Sequence, residues 1–181
     1  ALILLGDRLG IYKAMADGKA ITPDELAEKT KLNARYLREW LSAQAAAGYV
    51  DYNPKSKKFK LNPEQVCAFA DEGGPAFFAG AFDLVQAMWL DEHKIAEAFK
   101  SGKGVGWHEH SQCLFRGTER FFRPGYNAHL VSNWIPSLKG VEDKLKKGAK
   151  VADVGCGHGA STILMALAYP KSKFYGYDYH A

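Results

Sequence analysis

A chain of 181 residues, 47% hydrophobic and 24% charged, has the make-up of an ordinary globular protein, long enough for one sizeable core or for a small domain and part of a second. Its formal net charge of +4 is too mild for a dedicated nucleic-acid binder and favours acidic partners only weakly. Cys67, Cys113 and Cys156 are scattered and form no CxxC pair, which argues against a disulfide framework or four-cysteine zinc site and for a reducing, cytoplasmic setting; no apolar run is long enough to span a membrane, and no signal peptide is visible.

Residues 1–17 place Leu4, Leu5, Leu9, Ile11, Tyr12 and Met15 near helical spacing, which predicts one amphipathic helix ended by Asp17-Gly18. In Thr22-Pro23-Asp24-Glu25, the threonine can cap a second helix, the proline suits its first position, and Glu25 completes a capping box. Asn33 caps a third, with Tyr36, Leu37, Trp40, Leu41 and Ala45 expected on its inner face and Gly48 at its end. Tyr49 to Leu61, turning at Asn53-Pro54-Lys55-Ser56, reads as a β-hairpin. Three helices and a hairpin are the order of a winged helix-turn-helix domain, here residues 1–62.

Residues 63–140 form an expected helical linker and dimerisation region. Phe77, Phe78, Phe82, Leu84, Val85, Met88 and Trp89 give it a broad apolar surface, and Gly102, Gly104 and Gly106 break it. The aromatic-rich stretch 107–135 has no clear period, with a helix expected to start near Gly125 and Phe121 and Phe122 expected in the core. From residue 141 to 181 the pattern changes to a short charged helix, a buried strand over Lys150–Val154, glycines, a helix over Ala160–Ala168, and a second strand over Lys173–Asp178. This is the β-α-β opening of a doubly wound parallel sheet. The chain starts inside a helix without Met and stops just after a strand, so it is read as a piece of a longer protein.

A strand that turns into a helix through close-set glycines brings backbone N–H groups to a ligand, and side chains at Gly155 and Gly157 would block that approach. Dinucleotides and S-adenosylmethionine both use such a loop, and Gly155-x-Gly157-x-x-Ala160 satisfies the looser dinucleotide fingerprint of an NAD-dependent oxidoreductase. Asp153 discriminates between them. A carboxylate at the strand end repels a pyrophosphate but favours a sulfonium and an ammonium. Asp178, about twenty residues after the loop at the end of the next strand, can accept from both ribose hydroxyls. Tyr179 or His180 would then flank the adenine, and Cys156 lends its backbone N–H rather than acting as a nucleophile.

Val151-Ala152-Asp153-Val154-Gly155-Cys156-Gly157-His158-Gly159 and Gly176-Tyr177-Asp178 resemble the first two motifs of the class I S-adenosylmethionine-dependent methyltransferases. With Gly117 to Tyr126 ahead of them, the chain is similar to bacterial members carrying an N-terminal winged helix, some of them labelled transcriptional regulators. The resemblance implies an α/β Rossmann-like sheet after an α+β winged helix, S-adenosylmethionine as cofactor, a small-molecule methyl acceptor, and a homodimer formed through the N-terminal helices. The later motifs of the family, which complete the adenine pocket and acceptor site, are missing, so this stretch alone is not expected to turn over.

Other candidates are weaker. Arg123, with Arg120 and Tyr126 beside it, is placed to pair with the methionine carboxylate. His108-x-His110-x-x-Cys113 has ligand-like spacing but lacks a fourth metal ligand, and either histidine is a candidate base for the acceptor. The hairpin lysines Lys55, Lys57, Lys58 and Lys60, with Arg35 and Arg38, raise DNA contact as the rival function. Dimerisation is favoured over it, because the third helix is dominated by Trp40, Leu41 and alanines and leaves few side chains to reach bases.

Overall fold

The structure, a computed structural model, describes residues 1–179; His180, the alternative adenine neighbour, lies outside the described residues. The chain forms two compact units, dividing between Phe82 and Asp83.

The first unit contains α1 (Leu2–Arg8), α2 (Ile11–Ala14), α3 (Pro23–Thr30), α4 (Ala34–Ala46), β1 (Asp51–Asn53), β2 (Lys58–Lys60) and α5 (Pro63–Phe69). The expected single first helix is broken at Gly10, whose φ of 68° directs Ile11, Tyr12 and Met15 into the core while Leu5 and Leu9 stay exposed. The capping box before α3 is present in full. Glu25 N–H donates to Thr22 Oγ1 (3.1 Å) and Thr22 N–H to Glu25 Oε2 (2.7 Å). Asn33 Oδ1 caps α4 by accepting from Arg35 and Tyr36 N–H. Tyr36 departs from expectation, being 69% exposed under the Arg35 guanidinium. The inward stripe of α4 is Leu37, Trp40, Leu41 and Gln44, and Tyr36 falls outside it.

The hairpin pairs antiparallel with Tyr52 opposite Phe59, and Ile21 bridges to Phe59 on its other edge. Around it lie Leu26, Leu37, Leu41, Val50, Leu61 and Phe69, a continuous apolar core. Each fully buried aliphatic side chain there contributes roughly 1.5–3 kcal/mol. Tyr12 stacks on Phe69 and donates from its hydroxyl to Gln44 Oε1 at 2.5 Å, and burial pushes its phenol well above the usual range.

The second unit holds α6 (Ala81–Ser101), a 3-10 turn at Trp107–Glu109, α7 (Gln112–His129), a wide π turn at Leu130–Trp134, α8 (Ile135–Ser137), α9 (Val141–Lys147), β3 (Lys150–Val154), α10 (Ala160–Ala168) and β4 (Lys173–Tyr177). The helix expected near Gly125 starts at Gln112 and continues through Gly117 and Pro124. Gly117 is a packing residue within α7. A Cβ there would lie 2.8 Å from Asp83 Cβ and 2.9 Å from the Leu84 nitrogen, so its absence lets α6 and α7 touch. Phe122, expected in the core, is exposed and stacks on Tyr126.

The polarity of α6 is inverted. Its buried positions are Asp83, Ala87 and Asp91, while Val85, Met88, Trp89, Ile95 and Phe99 are exposed. Strands β3 and β4 pair parallel, with Asp153 opposite Gly176 and Val154 opposite Tyr177. The expectation of a buried β3 is corrected, since Val154 is 82% exposed. Two strands and one crossover helix cover only part of a sheet that, when parallel, ordinarily packs on both faces. Beneath them Ile135, Leu145 and Tyr169 form a small apolar cluster with Val151 and Phe174.

Candidate functional site

The loop Gly155–Gly159 leaves β3 at the carboxyl edge of the sheet, where open α/β sheets bind ligands. Gly155, Gly157 and Gly159 all adopt left-handed backbone, with φ of 80°, 54° and 78°. A Cβ added to Gly155 or Gly157 would meet no protein atom within 4 Å. Glycine is therefore required by the backbone turn, and the space above the loop is open to a ligand.

The loop spends its own N–H groups within the chain, which differs from the expectation that they face a ligand. Gly155 and Cys156 both donate to the Tyr177 carbonyl, at 2.7 and 3.2 Å. Gly159 donates to the Cys156 carbonyl, and Gly157 donates to Asp178 Oδ2 at 2.7 Å. The cause is the parallel register, which sets the first loop residues beside the end of β4. Cys156 so contributes packing rather than a free donor. Its Sγ would be 2.9 Å from a Cβ at Gly176, the facing position on β4.

The two carboxylates predicted from sequence are brought to this edge. Asp153 Oδ2 accepts from the hydroxyls of Ser161 (3.0 Å) and Thr162 (2.6 Å) in the first turn of α10, and its Oδ1 has no hydrogen-bond partner among the described residues. The two hydroxyls, not singled out from sequence, fix the carboxylate's orientation; a Ser-Thr pair just past a glycine loop is the signal that could have found them. Asp178 reaches over the loop to Gly157, joining the ends of both strands. Tyr179 follows, 83% exposed, with its ring edge-on to His108 at 6.1 Å between centroids.

The remaining candidates lie on α7 or ahead of it. Arg123 pairs with Glu119 one turn earlier at 3.2 Å. Arg120 and Arg116 converge instead on the fully buried Asp83 of α6, at 3.2 and 2.5 Å. His110, Cys113 and His108 do not converge. His110 Nδ1 lies 3.1 Å from Asp91, and Cys113 Sγ meets Gln86, so the described residues hold no metal-ligating cluster. Asp91 also accepts from Ser111 N–H (2.8 Å) and Lys94 (3.0 Å). The Ser111 N–H, with Lys94 and His110 adding to it, holds this buried carboxyl far below the usual carboxylate range despite its burial.

On the first unit, α4 exposes Arg35, Tyr36, Arg38, Glu39 and Ser42, more than the sequence led us to expect, because its buried stripe is narrow. Lys55, Lys57 and Lys60 are exposed on the hairpin, while Lys58 is ion-paired to Glu25 at 3.1 Å. Two surface depressions lie here, one of them lined by Arg38, Ser42, Tyr52, Lys57 and Phe59. The glycine loop differs from these in carrying carboxylates from the ends of both strands, Asp153 and Asp178.

Residues 1–70 match the family described as the Rv2258c-like winged HTH domain. Among solved structures, the fold resembles PigF with S-adenosylhomocysteine (14% identity, TM-score 0.63, covering 98% of this chain and 54% of that one). It also resembles an O-methyltransferase family protein from Burkholderia thailandensis (12%, 0.62, 97% and 51%). A third is the neocarzinostatin-biosynthesis O-methyltransferase NcsB1 in complex with S-adenosylmethionine and 2-hydroxy-5-methyl naphthoic acid (16%, 0.59, 98% and 55%). The chain spans about half the length of each of these proteins. No curated protein matches the sequence. The winged helix, the helical region and the strand-loop-helix-strand opening of a methyltransferase sheet are thus the fold of this chain.

Proposed function

We propose that the full-length protein transfers a methyl group from S-adenosylmethionine to a small-molecule acceptor, and that this chain supplies the first part of the cofactor site. The observation that carries the reading is the pair Asp153 and Asp178 at the carboxyl ends of adjacent parallel strands, one on each side of a left-handed glycine loop with open space above it. The bound cofactor would supply a sulfonium methyl electrophile. Asp153 Oδ1 fits the ammonium, since Ser161 and Thr162 occupy only Oδ2. Asp178 would accept from the ribose hydroxyls, exchanging its bond to Gly157 N–H for theirs. Gly155, Cys156 and Gly157 would shape the floor, Tyr179 would flank the adenine, and Arg123, paired with Glu119 here, would hold the methionine carboxylate. Catalysis would be mainly alignment of acceptor and sulfonium.

Homodimerisation is part of the reading, and the exposed stripe Val85, Met88, Trp89, Ile95 and Phe99 on α6 supports it, being a face that water leaves unsatisfied. A second reading, DNA contact, is favoured only by the exposed Arg35, Arg38, Lys55, Lys57 and Lys60 of α4 and the hairpin. Salt-dependent retention on DNA, lost in a Lys55/Lys57 double variant, would support it.

Calorimetry of S-adenosylhomocysteine binding to the full-length protein tests the main proposal. Asp178→Ala is expected to weaken binding by at least about tenfold, the order of one charge-assisted hydrogen bond. An unchanged affinity in that variant, or no binding by the unmodified protein, sinks the site.

A further inference from the structure

The net charge of +4 is not spread evenly over the chain. From α9 to the start of β3, residues 141–150, and in the turn entering β4, residues 171–173, Lys144, Lys146, Lys147, Lys150, Lys171 and Lys173 stand against two carboxylates, Glu142 and Asp143. Their surplus equals the charge of the whole chain, so all other residues together are neutral. The six lysines are exposed. Of them, Lys146 alone has an ion pair among the described residues, to Glu142 at 2.9 Å.

The fold gathers these lysines at the amino edge of the β3-β4 sheet. Ser172 Oγ donates to the Leu145 carbonyl of α9 (2.7 Å) and accepts from Ala149 N–H (2.9 Å), while Lys173 N–H donates to the Ala149 carbonyl (2.8 Å). The parallel register then sets Lys150 beside Lys173. The helix dipole favours Lys144, Lys146 and Lys147 in the last turn of α9. It does nothing for Lys150, Lys171 and Lys173, and like charges side by side on neighbouring strands repel. An anion from outside the chain would relieve that repulsion.

We infer that this edge is a docking surface for an anionic phospholipid bilayer. All six cations are lysines, and neither an arginine fork to read bases nor a ring to stack on them stands among them. Mobile anionic headgroups rearrange in the membrane plane to meet fixed point charges, and clusters of four to eight such cations are drawn to them. The strands also carry Asp153 and Asp178 at their other end, roughly 15 Å away, so the same field turns the glycine loop away from the lipid.

Co-sedimentation of the full-length protein with vesicles tests this. The protein is expected to sediment with phosphatidylcholine vesicles containing phosphatidylglycerol, to stay in solution with phosphatidylcholine alone, and to be released by added salt. Lys150→Gln/Lys173→Gln should weaken partitioning roughly thirtyfold, from the usual worth of two lysines near a charged membrane. Lys55→Gln/Lys60→Gln removes the same charge from the hairpin and should leave partitioning unchanged. All four side chains are exposed, so circular dichroism of both variants should match the unmodified protein. Equal sedimentation with both vesicles, none with either, or an equal or greater loss in the hairpin variant overturns the inference. Retention on duplex DNA that the edge variant abolishes, without vesicle binding, makes the edge a nucleic-acid surface and overturns it as well. None of these outcomes bears on the cofactor reading, which stands or falls by calorimetry.

Discussion

The two units bury different things. In residues 1–82 the interior is mainly hydrocarbon, with Leu26, Leu41 and Ile11 at or near zero exposure and with the buried amides Gln44 and Gln65 bonded to Tyr12 and to the Gly48 carbonyl and Asp51. In the second unit α6 turns carboxylates inward, Asp83 to Arg116 and Arg120, and Asp91 to Ser111, His110 and Lys94. An apolar core is non-directional and tolerates adjustment, whereas a buried charge demands its partners at fixed places. The first unit is thereby built for stability and the second for geometry.

Removing one member of a buried charge cluster should do the most damage. Asp83→Ala leaves Arg120 without its buried partner and is expected to destabilise the second unit by about 3–5 kcal/mol. Hydrogen exchange should accelerate along α7 and not along α4. Equal acceleration in both would break the comparison.

Leu41→Ala is the matching change in the first unit, expected to lose roughly 2–5 kcal/mol through transfer and cavity terms. Urea unfolding followed by hydrogen exchange should confine that loss to residues 1–82.

The smallest effect distinguishes the units by pH. The folded-state pKa of Asp91 is depressed, so its contribution is present above the ordinary carboxylate range and is lost as pH falls through and below that range. Thermal unfolding of Asp91→Asn should accordingly be less acid-sensitive than that of the unmodified protein; identical slopes would remove Asp91 as the cause.

The sequence disclosed most of the local structure wherever one residue performs one task. Thr22-Pro23-Asp24-Glu25 announced a capping box, Asn33 a helix start, and the run from Lys150 to Tyr177 a strand-loop-helix-strand unit whose helix begins at Ala160. Legibility failed where a residue serves a distant neighbour. A helix was expected only from about Gly125, yet α7 begins at Gln112 and runs through Gly117 and Pro124, and what Gly117 serves is Asp83, 34 positions earlier on another helix. The inverted face of α6 was hidden for the same reason, because Asp83 and Asp91 look like solvent residues until their partners are placed. At the candidate site, the placement of Asp153 and Asp178 at the strand ends was legible from the strand pattern, while the use of the loop's N–H groups depends on strand register and was not.

The contact between Cys156 and Gly176 has a consequence for how such sequences vary. A Cβ at position 176 would sit 2.9 Å from the cysteine sulfur, so side-chain volume at the two positions must be shared. Related chains should therefore covary there, with a larger residue at one position accompanied by glycine or alanine at the other. Any library that diversifies the loop should randomise the two positions together, since most single changes would be rejected for reasons unrelated to the cofactor.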